Sequence, residues 1–271
     1  MSTTHTPTSV QPADADRVDQ HTVRRSVVLH LLPGFANIVI FYAAAPLVMM
    51  GGYPPIAAAL IGGAVAVVAG QLGWLLYEAH RRTGRWSLSG ALPYRPGRFT
   101  WRKSALVLAL YVWAFAVAIP LGGMKPLIVE TFFSWLPRWQ ISPLPADIST
   151  TATGTVLLVT GIGLFLMNAT LAPLVEELYF RGYLLPRLER FRAWAPLINI
   201  SLFSLYHFWS PWDLLTRIIV LLPMGYVVWR TRDIRIAIAV HIEHEAGARQ
   251  SGKPVAAGDE PHRLRGGRRQ L

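Results

Sequence analysis

Residues 153–182 read TGTVLLVTGIGLFLMNATLAPLVEELYFRG, and this stretch decides how the rest of the chain is read. Its first twenty residues carry no charge, enough for a helix to cross the ~30 Å hydrocarbon layer. The glutamate pair Glu176 and Glu177 follows, with Arg181 four residues beyond Glu177. Ionisable groups at bilayer depth are costly to place and are therefore hypotheses about function. Two further polar residues stand in separate apolar stretches, His207 and His241.

The surrounding sequence is of the same kind. Over 271 residues, 52% are hydrophobic and 15% charged, against the roughly 25% charged of soluble domains. Apolar runs recur at 26–50, 55–77, 104–124, 153–172, 195–209 and 213–229, with a marginal one at 234–242. The expected fold is an all-α, polytopic transmembrane bundle of about six to seven membrane segments. Residues 1–22 read as a disordered polar tail without a cleavable signal, 23–245 as the membrane-embedded domain, and 246–271 as a basic tail. The chain has no cysteine, which excludes disulfides and thiolate chemistry. Its net charge of +11 does not point to nucleic acid, because the arginines sit in loops between spans, where they set topology and meet anionic lipid. The arginine bias, with abundant Ala, Gly and Pro, points to a GC-rich bacterial genome.

Arginine counting gives one consistent orientation. Arg24 and Arg25, the 78–103 loop, Arg187–Arg192 and Arg230–Arg235 fall on the cytoplasmic side; the uncharged 51–54 link, the 125–152 loop with only Lys125 and Arg138, and the Ser210–Asp213 turn fall outside. The expected location is the inner (plasma) membrane with a cytoplasmic N-terminus.

Pro173 is expected to end the 153–172 span and to start or kink the next helix, since it lacks a backbone donor. On that helix Glu177 and Arg181 share a face in the favoured order, so they form a natural ion pair. Glu176 is turned about 100° away without an obvious local cation, which favours it as a general base. The plain alternative is an interfacial ion network. Phe203 stands one turn before His207 on one helix face. His241 precedes His244 and Glu245 by three and four residues, so all three can share a face. Two or three histidines and a glutamate meet the ligand count of a catalytic zinc centre, but no pair here has the local spacing of a zinc motif.

Together, Glu176-Glu177-x-x-x-Arg181, Phe203-x-x-x-His207 and His241 resemble the CPBP family of intramembrane endopeptidases (CAAX protease and bacteriocin-processing, also called Abi), over about 150–245. The resemblance implies a helical bundle with a polar cavity open to the cytoplasmic side and a peptide or protein substrate met at the membrane. It implies that Glu176 and His207 activate water and that His241, with the residue four positions on, stabilises the oxyanion. Tyr179, Phe203 and Glu245 are expected to contact substrate. The family pattern has Asn or Asp where this chain has Glu245, and a glutamate donates a hydrogen bond only when protonated. If a divalent metal such as zinc takes part, Glu176, His207 and His241 would hold it; a metal-free glutamate mechanism is the other choice.

The reading is thus a water-activating intramembrane endopeptidase, with Glu177 and Arg181 supporting the site. Its alternative is a catalytically impaired member acting as a membrane scaffold or immunity-type protein. Transport is disfavoured, since no repeat with paired broken helices is found.

Overall fold

A computed structural model describes residues 18–241 except 95–96 and 146. His244, Glu245, the basic tail and most of the N-terminal tail lie outside the described residues. Among those described there is no strand. Five helical runs are long and apolar enough to cross a membrane, namely Val23–Met50 (α1), Ile56–Thr83 (α2), Trp101–Gly122 (α3), Gly154–Tyr206 and Pro211–Thr231. The fourth is two helices. Arg192, with φ 52° and ψ −126°, breaks it into α4 (154–191) and α5 (Ala195–Tyr206). Helix α6 spans Leu214–Thr231, and a short α7 covers 234–241.

Pro173 does not end a span. The helix widens to π geometry over Leu164–Leu171, returns to α over Ala172–Glu176, and widens again over Glu177–Leu184. A proline clashes with the carbonyl four residues earlier and donates nothing. The wide turn just before Pro173 already gives up that bonding pattern, so the helix runs on. Wide turns of this kind are frequent at functional sites; here they lie on either side of Glu176, and Glu177 opens the second.

The order of contacts fixes the directions of the helices. α5 runs back along α4: Asn199 Nδ2 donates to the Phe180 carbonyl at 3.0 Å, and the Tyr206 hydroxyl donates to Glu176 at 2.7 Å. α1 lies parallel to α5. His30 Nδ1 donates to the Ser26 carbonyl (2.7 Å), leaving Nε2 to accept from Asn199 Nδ2 at 3.0 Å. α6 runs antiparallel to α5, with Arg217 on the Ser204 carbonyl and Gly225 against Ile200. α7 returns antiparallel to the end of α4, from Ile234 beside Gly182 to His241 beside Glu177.

One end of the bundle is therefore arginine-rich. There the nearly fully buried Glu78 meets Arg25, Arg81 and Arg82. Residues 18–22, expected in the free tail, are bound to this end: the His21 amide donates to the Arg187 carbonyl and Gln20 Nε2 to that of Pro186. Asp233 opens α7, accepting from the Arg235 amide and from Lys103 Nζ at 2.6 Å. Burial pushes its carboxyl up, but hydrogen bonds from Arg235 and Lys103 outweigh this and hold it down at about 2. It stays charged at physiological pH, and this end of α7 stays pinned.

α1 and α5 touch backbone to backbone. A Cβ on Gly34 would lie 1.9 Å from the Tyr206 carbonyl oxygen, and backbone cannot swing aside as a side-chain tip can. Gly34→Ala should separate the helices and cost at least the ~1–3 kcal/mol typical of overpacking, read as a lower Tm in detergent. Gly73→Ala, which meets nothing within 4 Å, should leave Tm unchanged or raise it. Equal Tm values for the two variants would refute this contact.

Candidate active site

Glu176 sits on α4 between its two wide stretches and is 6% exposed. It is not without partners, as its sequence context suggests. Tyr206, from the last turn of α5, donates to Oε1 at 2.7 Å, and His241 Nε2 lies 4.0 Å from Oε2. Tyr206 was missed by sequence reasoning; the only signal was a tyrosine directly before His207 in an apolar run.

Glu177 and Arg181 pair as their spacing predicts, at 3.2 Å, and both side chains are fully buried. The guanidinium carbon lies over the Phe203 ring, 4.0 Å from its centre, a favourable placement for a cation. Glu177 Oε1 also receives His241 Nδ1 at 2.8 Å. A carboxylate only accepts, so Nδ1 carries the proton and His241 Nε2 is aimed at Glu176. The third motif is thus positioned by the second glutamate of the first, across 64 residues.

α5 ends at Tyr206. Its twelve residues span only about 18 Å, too short by themselves to cross a ~30 Å apolar layer. His207 follows with non-helical φ and ψ, its Nδ1 2.9 Å from the Phe203 carbonyl. A carbonyl cannot donate, so Nδ1 carries the proton and Nε2 is the accepting nitrogen. The imidazole stands edge-on to the Phe203 ring, with centroids 4.8 Å apart. The expected single helix face shared by Phe203 and His207 is replaced by this end cap.

Glu176, Phe203, His207 and His241 line one cavity of about 460 Å³. Tyr179 does not line it. That residue is 2% exposed and its hydroxyl donates to the Leu29 carbonyl at 2.8 Å, so it ties α4 to α1. The physical reason is helical phase: three residues on from Glu176 on a widened helix, the side chain turns toward α1. Glu245 lies beyond the described residues.

Among the described residues no three His, Asp or Glu side chains come together closely enough to hold one metal ion. Glu176 and His241 face each other, but among the described residues His207 does not complete a ligand set with them.

These features define a polytopic, all-helical membrane protein with a glutamate and two histidines facing a cavity within the bundle. Residues 157–246 match the profile of the Rce1-like family, described as type II CAAX prenyl endopeptidase Rce1-like. Together with the three motifs, that match over about a third of the chain supports a likeness to the CPBP/CAAX protease family. No curated protein and no solved structure matches the chain.

Proposed function

We propose that the chain is an intramembrane endopeptidase in which Glu176 activates water against a peptide carbonyl. The observation carrying this reading is the facing of Glu176 Oε2 and His241 Nε2 at 4.0 Å on the cavity wall. One water oxygen bridges such a gap within hydrogen-bond reach of both atoms. Tyr206 occupies Oε1, which leaves Oε2 as the base.

Glu176 takes a proton from this water while the water oxygen adds to the peptide carbonyl carbon. His207 Nε2, unprotonated because Nδ1 serves the Phe203 carbonyl, accepts the second water hydrogen and orients the oxygen. The carbonyl oxygen becomes an oxyanion. His241 stabilises it by donating from Nε2, which requires an imidazolium; Glu177, bonded to Nδ1, balances that charge. The proton held by Glu176 then passes to the leaving amine, the C–N bond breaks, and the carboxylate is regenerated. Glu177 and Arg181 do not line the cavity and act by positioning His241 and Phe203.

The matched family is described as prenyl endopeptidases, so a farnesylated, fluorescence-quenched peptide is the first probe and the same peptide without lipid is the second. Purified chain in lipid nanodiscs should cleave at least one of them. His207→Ala should keep the wild-type Tm and lower kcat by about 10²–10⁴-fold, the usual contribution of a positioned proton acceptor. Normal turnover by this variant would refute the mechanism.

A further inference from the structure

The cavity containing Glu176 is not placed symmetrically in the bundle. Gly34, which lies against the Tyr206 carbonyl, is eleven residues into the 28-residue α1. The level of Tyr206 is therefore about 16 Å from the arginine-rich end and about 24 Å from the other, at ~1.5 Å per residue. From that level the cavity extends mainly away from the arginine-rich end, its floor reaching Phe203 and Met224. Its walls include Ala118 and Gly122, near the end of α3 away from its Arg102–Lys103 start, and Ile56 at the corresponding end of α2. Its rim includes Gln140 and Pro143 from the 123–153 connection, and Ser210 and Asp213 from the turn between α5 and α6. Tyr42 of α1 donates to Gln140, which ties this rim to the far half of α1.

Toward the arginine-rich end the way is closed. Below Glu176 and Phe203 stand Phe180, Tyr183, Leu184, Leu185 and Leu188, all fully buried. Beyond them lie the Glu78 and Asp233 ion networks.

The side on which arginines accumulate is the cytoplasmic one. Arg25, Arg81, Arg82, Arg98, Arg102, Lys103, Arg187, Arg190, Arg230 and Arg235 all belong to the closed end, against Lys125 and Arg138 in the connection and Arg217 beside Ser210 at the open end. An arginine-set orientation and a cavity open to the cytoplasm cannot both hold.

We infer that the peptide enters from the extracytoplasmic face, between the 140–143 and 209–213 segments. This rests on the endopeptidase reading and deepens it. The substrate class becomes an exported peptide, or the outer segment of a membrane-anchored protein, rather than a cytosolic C-terminus.

The absence of cysteine makes a direct test simple, since each single-cysteine variant reports one position. Ser142→Cys marks the exposed rim, Thr216→Cys the cavity wall, and Arg98→Cys the exposed loop at the closed end. Cells expressing each variant are treated with a membrane-impermeant cationic methanethiosulfonate, intact or permeabilised. Ser142→Cys and Thr216→Cys should react at the same rate in both, whereas Arg98→Cys should lose its reaction in intact cells. Reaction of Thr216→Cys only after permeabilisation, or under neither condition, would overturn the inference, as would reaction of Arg98→Cys in intact cells. Labelling needs no turnover: an inactive enzyme would still report its open face, and an active one with a cytoplasmic mouth would still cleave the nanodisc probe.

Discussion

Glu176→Gln folds like the wild type and loses peptide hydrolysis. The substitution preserves side-chain shape and keeps an amide oxygen to accept from Tyr206, now 2.7 Å from Glu176 Oε1. An amide, however, takes no proton from water at neutral pH. The base contribution of about 10²–10⁴-fold is lost, equivalent to ~3–5 kcal/mol of barrier at ~1.4 kcal/mol per tenfold. The loss falls on kcat, because an uncharged isostere leaves the cavity able to admit the peptide. Thermal unfolding of the same preparation provides the control. A Glu176→Gln chain with wild-type Tm and wild-type turnover would remove Glu176 from the mechanism. A folded chain whose wild type cleaves none of the probes while keeping a biological role would favour the scaffold or immunity-type alternative.

Arg181→Ala has the other large effect, on stability. Its guanidinium is fully buried, 3.2 Å from Glu177, and lies over the Phe203 ring. A buried ion pair contributes little net stability compared with apolar replacements. Removing one partner is different, because it strands a charge away from water and costs about 3–5 kcal/mol. Glu177 would keep only His241 Nδ1, and Phe203 would face a void. The expected result is a large fall in Tm in detergent and in yield from the membrane. Glu177→Gln combined with Arg181→Met, which leaves neither charge, should recover much of the loss. Arg181→Lys should not, since an ammonium cannot lie over Phe203 while reaching Glu177. An unchanged Tm for Arg181→Ala would mean that the pair does not hold the fold.

Two readings differ from the structure for local reasons. Pro173 marks a break only if the helix around it is regular, and the wide turn over Leu164–Leu171 absorbs the proline without ending the span. Tyr179 stands within the glutamate motif and so reads as part of the site. Which way it points depends on the helix phase after those wide turns, and the structure turns it to Leu29. In each case the deciding quantity is a few tens of degrees of helical rotation, which residue spacing cannot supply.

By itself the sequence determined the all-helical membrane class, because uncharged runs of about twenty residues have no other stable state across hydrocarbon. It also determined the orientation signal, since arginine placement is a one-dimensional property, and the Glu177–Arg181 pair, since four residues on a helix always meet. Only the tertiary structure decided the rest. It gave Tyr206 to Glu176, seated His241 on Glu177 across 64 residues, and stopped α5 short so that His207 faces a cavity. Those contacts join α4, α5 and α7, and their existence depends on how close backbones approach at points such as Gly34 and Tyr206. Distance between helices is a property of packing, and no pattern along one chain segment encodes it.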